Sequence, residues 1–519
     1  DNYHGIYFIN SDSANVTGND ITESDVYSLF LHSTSDNSVF DSNTLGDSTD
    51  GIRIKGTSST NLFSNNAISN NSEYGVNSIS SSSNTFVNNI FSNNSKSTTY
   101  QIYLNNSASY NFTNNTFSSS EGLYIDNSDS LILQGNIFDS TNSPCLTINT
   151  SSNVDLDNNT ISNDFKLDSS SGADLINNSF TDEVIIMVSD SLEFDLNIVT
   201  KEFNVTDSDT LIIINNTLVN NSIFNSDGST LADNTLNILN LINFSSGSIS
   251  GSDVDDIIGI AFNFDNVDST DIYDNNIQDT TVAMFLNISD SNDIYDNWLK
   301  DNGVGLNITG GSGSTIYNNY FENTVNVRDD TGNTWSQTSI SCSSPNIVGG
   351  PCQGGNFYSN YYGLDNGASG RDQGDGIGDE PAYFTIISSN VSDSYPLVLY
   401  VARQYYHPDD NTSASFNATS SISGTLTDGE VVSSEYQDIN YSLSDLNYLE
   451  LGALFNETDF DASTLIININ ENKTYLNKTD VTGGTTNYNA YVYHNYRLDA
   501  GLYVCDGVDS LAGTNSSCS

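Results

Sequence analysis

Apolar residues recur along this chain as short triplets broken by Asn, Ser, Thr and Gly, and nowhere as a helical stripe. One phrase, apolar-x-x-Asn-Asn-x-apolar, returns throughout the first three fifths. It reads LFSNNAI around Asn66, TFVNNIF around Asn89, NFTNNTF around Asn115, LDNNTI around Asn159 and LINNSF around Asn178. Later copies are IINNTL at Asn216, IYDNNI at Asn276, IYDNWL at Asn297 and IYNNYF at Asn319. A second phrase travels in register with it: GIYFINS from Gly5, GIRIKGT from Gly51, GLYIDNS from Gly122 and GVGLNIT from Gly303. The repeat length is roughly 20 to 25 residues, too short for helical-hairpin repeats, and the Leu framework of leucine-rich repeats is missing.

Short apolar-x-apolar strands at this period fit a right-handed parallel β-helix, in which apolar side chains fill a narrow core and polar corners face water. The second Asn of each phrase is expected to stack coil upon coil, its amide bonded to those above and below, while the corner uses left-handed backbone. The predicted structural ladder is therefore Asn66, Asn89, Asn115, Asn159, Asn178, Asn216, Asn276, Asn297 and Asn319. About fifteen coils at roughly 4.8 Å give a rod on the order of 70 Å long. Between about 237 and 262 the phrase lapses, which predicts one irregular coil.

Composition alters the picture in three ways. Hydrophobic residues are only 36%, but their regular spacing argues against disorder. Twelve Lys+Arg against 66 Asp+Glu give a net charge of −54, which disfavours nucleic acid and anionic membranes and suits a cation-rich exterior. No apolar run is long enough to span a membrane. Among five cysteines, Cys342/Cys352 and Cys505/Cys518 lie close in pairs and Cys145 stands alone, predicting two local disulfides, one buried thiol and an oxidising compartment. Sequons number roughly two dozen, among them Asn15, Asn111, Asn204, Asn307, Asn417 and Asn472, so N-glycosylation is expected.

After Phe321 the phrases change to GNTWSQ, GGNFYSNYYG, QGDGIGDEPAY and DSYPL. In their order these resemble the closing phrases of the NosD-like β-helix family, also called the periplasmic copper-binding or carbohydrate-binding sugar-hydrolase repeat family. The resemblance covers about residues 1–400, with Tyr358 where the family usually has Trp and Gln373 in place of the first Asp of a DGDGIGD loop. Closely spaced Asp365, Asp372, Asp375 and Asp379 suit a calcium ion, since hard cations collect several oxygens. Copper chemistry does not carry over, because four His and two Met are scattered. The expected organisation is a β-helix over 1–325, a closing segment over 326–400 and a small β-sandwich-like domain over 401–519, where strand-like runs lack the Asn-Asn phrase.

For function, the sequence favours an extracellular structural glycoprotein, a self-assembling unit of an archaeal-like cell-surface layer, sheath or filament. A chain that enters its first strand almost at Asp1 suggests head-to-tail self-association, or a processed fragment. The alternatives are a carbohydrate-binding adhesin and a polysaccharide lyase or hydrolase. Arg53-Ile54-Lys55 spells the RIK of polygalacturonase-like sites but lacks its companion motifs, so no catalytic residue is assigned.

Overall fold

The structure, a computed structural model, describes residues 2–94, 100–119, 122–140, 144–361, 365, 375–379 and 392–398. It also describes strand segments at 419–420, 436–444, 447–455, 467–470, 473–476 and 485–493. The chain divides into two compact units: Asp1–Ser341 with Gln353–Tyr361 and Pro381–Leu397, and Cys342–Cys352 with Tyr362–Glu380 and Val398–Ser519.

The first unit is a parallel solenoid. A coil such as Leu62–Ser64, Ala67–Ser69 and Tyr74–Ile79 turns three times, and each strand pairs in parallel with its counterpart one coil away. One side is a 15-stranded sheet, which matches the predicted coil number; the other two sides merge into a 27-stranded sheet. The inward residue of each triplet stacks on its equivalent. Phe40, Phe63, Phe86 and Phe112 form one column with ring centroids 4.9, 4.5 and 5.1 Å apart, and Phe91, Phe117 and Phe138 form another. Burying one such side chain contributes about 1.5–3 kcal/mol, so a core only a few residues wide suffices because it is repeated.

The corner after each triplet explains the Asn-Asn phrase. Its first Asn adopts left-handed backbone, with φ of 54° at Asn65, 56° at Asn88 and 55° at Asn114, a region Asn tolerates at little cost. The second points inward and is buried. The amide nitrogen of Asn66 donates to the Phe40 carbonyl at 2.9 Å and to Oδ1 of Asn89 at 3.0 Å. Asn89 does the same toward Asn115, Asn159 toward Asn178, Asn216 toward Asn234 and Asn297 toward Asn319. A buried backbone carbonyl is thereby satisfied in each coil that carries such a rung.

One ladder position is corrected by a residue. In IYDNNI the left-handed site is taken by Asp274, with φ of 54°, so Asn275 is the buried rung, bonded to Oδ1 of Asn297 at 2.9 Å. Asn276 is exposed and donates to Asp253. The irregular coil lies where the phrase lapses: Ser252 sits beneath Asn275, and the strand Asp253–Asp268 bulges between Ile257 and Ile260, leaving Ile258 99% exposed.

The closing phrases terminate this stack. Asn319 donates to Oδ1 of Asn356, and the Asn356 backbone N–H donates to Asp393 at 2.7 Å. A Cβ on Gly355 would lie 1.9 Å from an Asp393 oxygen, so glycine is required there. Tyr358 is fully buried, stacked on Phe321 at 5.5 Å with its hydroxyl 3.2 Å from Asp393. Trp335 is buried and donates its indole N–H to Asp329 at 2.9 Å.

In the second unit, Cys342 and Cys352 are disulfide-bonded. Its described strands form a four-stranded antiparallel sheet, Thr419–Ser420, Tyr436–Ser444, Asn447–Phe455 and Thr485–Tyr493, and a hairpin of Ile467–Asn470 with Lys473–Leu476. Cys505 and Cys518 lie outside the described residues.

Candidate functional site

Residues that point inward are fixed by the repeat, so any chemistry specific to this protein must sit on the outward positions. On the larger sheet these form columns one coil apart. One runs His4, Tyr27, Asp50, Tyr74, and its neighbour runs Tyr7, Phe30, Arg53, Asn77, Tyr103, Tyr124. The lower rings stack: His4 on Tyr27 at 5.0 Å and 3°, Tyr7 on Phe30 at 4.8 Å and 12°. The upper rings do likewise, with Tyr100 and Tyr103 against Tyr124 at 4.7 and 5.9 Å, and Tyr74 leaning on Tyr103 at 5.7 Å.

Between the two aromatic groups the columns are broken by Asp50, Arg53 and Asn77. Asp50 is only 2% exposed, Asn77 7%. The Asn77 amide donates to Oδ2 of Asp50 at 3.2 Å, and an Arg53 guanidinium nitrogen lies 3.8 Å from the same oxygen. Oδ1 of Asp50 and Oδ1 of Asn77 are both buried without a donor among the described residues. Burial pushes the Asp50 carboxyl up to about 7, Glu73 adding to the rise and Arg53 opposing it. Burial also raises the flanking Tyr27 and Tyr74 hydroxyls. Leaving a buried acceptor unsatisfied costs about 1–3 kcal/mol; other buried atoms of the rod without a partner among the described residues, such as those at Thr147, Asn221 and Ser226, are single, whereas here two lie on side chains that bond each other.

A second aromatic group occupies later coils: Tyr273, Tyr295 and Tyr317 at 5.1 and 5.2 Å, beside Trp298, Tyr320 and Phe357 at 4.3 and 4.7 Å. These columns are unbroken, and their inner ring faces are covered by one another. The depression beside the bulge, lined by Asp255, Asp256, Asp279 and Asp301, gathers like charges.

The residues singled out in the sequence fall elsewhere. Asp365 accepts from the Gly376 N–H at 2.8 Å and Asp375 from the Ile377 N–H at 2.9 Å. Asp379 is buried, and Asp372 lies outside the described residues. No group of three or more His, Cys, Asp or Glu among the described residues is placed to hold a metal. Of the sequons, Asn15 is exposed, Asn111, Asn204 and Asn307 are half-buried, and Asn417 and Asn472 lie outside the described residues. Cys145 is a buried free thiol. Arg53, dismissed as part of a chance RIK, proves to be the cation beside Asp50.

Residues 1–117 match the profile of the right handed beta helix region, and residues 205–363 match that of the periplasmic copper-binding protein NosD. The class is a right-handed parallel β-helix. Both matches and the solenoid together support a NosD-like right-handed β-helix family for the rod. Among the described residues the donors do not fit copper: Met284 is sealed in the core, and His32 shares its Nδ1 with the Ser33 hydroxyl. No curated protein matches the chain. Among solved structures, tailspike protein 3 of bacteriophage CBA120 aligns at 8% identity and a TM-score of 0.26 over 62% of this chain, spanning 55% of its own length. The siphovirus 9NA tailspike receptor binding domain aligns at 10% identity and a TM-score of 0.24, over 87% of this chain and 84% of that one. Among the described residues no helix is long and apolar enough to cross a membrane.

Proposed function

We propose that this chain is an extracellular glycan-binding rod of the adhesin type, holding sugar against the outward face of its first six coils. The observation that carries this reading is the broken aromatic column. Tyr27 and Phe30 on one side, Tyr74 and Tyr103 on the other, flank a polar break made of Asp50, Arg53 and Asn77. Sugars present both matching surfaces, C–H faces for rings and hydroxyls for polar groups. The net charge of −54 and the Cys342–Cys352 disulfide suit an oxidising, ion-rich exterior. A self-assembling layer or filament, the role expected from the sequence, gains no support from this face.

A glycan array probed with the whole chain tests the reading. Tyr74→Ala and Tyr103→Ala should each weaken binding roughly tenfold, the scale of one lost aromatic contact of about 1.4 kcal/mol. Tyr295→Ala, on the distant unbroken column, should not. Binding to no glycan, or binding indifferent to both substitutions, refutes the proposal. Analysis of products on the same glycans separates binding from cleavage.

A further inference from the structure

Resting on the glycan-binding reading, we infer that Asp50 and Asn77 make the site selective for neutral sugars over uronates, by accepting hydrogen bonds from adjacent hydroxyls of one pyranose unit.

The argument starts from what the site lacks and what it already holds. Two side-chain oxygens, Oδ1 of Asp50 and Oδ1 of Asn77, are buried and have no donor among the described residues. They belong to neighbouring residues on adjacent coils, joined by the 3.2 Å bond from the Asn77 amide to Asp50. The missing partner must therefore bring donors, at least two of them and close together. A cation would also satisfy oxygens, but the guanidinium of Arg53 already lies 3.8 Å from the carboxylate, with its side chain 14% exposed. A second positive charge would meet Arg53 at short range. A neutral diol has no such conflict: its hydroxyls donate to the two oxygens and can accept from the spare N–H groups of Arg53. A uronate brings a carboxylate beside Asp50 and Glu73, whose charges already act on each other.

Access is through the half-exposed rings of Tyr27 and Tyr74, which lie one coil below and one coil above Asp50. A rotamer change of either ring, away from its neighbouring ring, would uncover the two oxygens. Arg53 acts as a positioning residue, holding the carboxylate toward the hydroxyls. Along the two columns a side-chain carboxylate or amide oxygen occurs only at Asp50 and Asn77; apart from Arg53, the remaining members from His4 to Tyr124 are rings.

The test uses isothermal titration of the full chain with matched pairs of oligosaccharides that differ only at C6, such as 1,4-linked oligogalactose and oligogalacturonate, together with the corresponding glucose and mannose pairs. The neutral member of the bound pair is expected to bind at least tenfold more tightly. Asn77→Ala and Asp50→Asn are each expected to weaken the neutral sugar roughly tenfold and to narrow the gap to the uronate. Circular dichroism melting verifies folding, and Asn77→Ala keeps the test informative should Asp50→Asn fail to fold. Equal affinity for the two members, or a gap unchanged in Asn77→Ala, overturns the inference while leaving the glycan-binding reading intact. Absence of binding to every oligosaccharide, extended to a full array, overturns both.

Discussion

Replacing Asn275 with Ala should destabilise the rod by about 2 kcal/mol, whereas the same change at its neighbour Asn276 should cost at most about 0.5 kcal/mol. The Asn275 amide donates to the Ile249 carbonyl at 3.0 Å, the Tyr273 carbonyl at 2.9 Å and Oδ1 of Asn297 at 2.9 Å, and its Oδ1 accepts from the Ser252 N–H at 3.0 Å. Oδ1 of Asn297 keeps the Asn275 backbone N–H, at 3.1 Å. The Tyr273 carbonyl keeps the Gly251 N–H, at 3.3 Å, so two groups are left without these partners: the Ile249 carbonyl and the Ser252 N–H. At about 1 kcal/mol each, the low end for buried polar groups, they sum to about 2 kcal/mol. Asn276 is exposed, and its amide bond to Asp253 can be replaced by water. Urea unfolding gives the two differences. Hydrogen exchange gives their location, since a solenoid coil touches only its neighbours and the Ser252 amide should lose protection before distant coils do. Equal destabilisation by the two substitutions would refute the one-residue assignment of the rung.

Two further outcomes follow from buried groups. Burial holds Asp50 and Asp393 up to about 7 in the folded chain, against about 3.9 when unfolded. The raised folded value means that protonation favours the native state, so stability is greatest below about pH 4 from these groups. It falls as pH rises through 7, by up to about 1.4 kcal/mol per unit per group. Urea midpoints between pH 5 and 8 should show this, and Asp50→Asn should reduce the slope; a slope that the variant leaves unchanged removes Asp50 from the account. Cys145 is 1% exposed and burial pushes its thiol up to about 12, so a thiol reagent should label it only on unfolding. Rapid labelling of native protein would contradict its inward placement beside Leu146 and Ile148.

Much of the rod was legible because a repeat writes the same physics many times. An inward apolar residue, a left-handed corner and an inward Asn recur at nearly constant spacing, and each copy supports the others. The error at Asn276 has a local cause: two adjacent asparagines both fit the phrase, and only recognition that Asp274 takes the left-handed site selects Asn275. The broken aromatic column was not legible in the same way. Outward positions carry no repeat-imposed residue type, and Tyr27, Asp50 and Tyr74 are separated by whole coils. Aligning VYSLFL, DGIRI and YGVNSI by their inward Leu29, Ile52 and Val76 would have set Asp50 between two tyrosines. The calcium expectation rested on sequence distance alone; Asp365 and Asp375 accept from the Gly376 and Ile377 N–H groups, and Asp372 lies outside the described residues.

The asparagine ladder also has a sense of direction. In most coils the side-chain amide gives a proton to the next coil toward the C-terminus and receives one from the coil before, as from Asn19 through Asn43 and again from Asn275 to Asn356 beyond the break at Ser252. Such a chain of one-way bonds can end cleanly only on a group that takes without giving. A further amide at the last rung would carry two protons with no coil above to receive them. The final acceptor is Asp393, whose carboxylate receives from the backbone N–H groups of Asn356 and Tyr395, the Asn356 amide and the Tyr358 hydroxyl. The change from Asn to Asp at that rung is thus a terminator written in donor count: it marks where the rod stops adding coils.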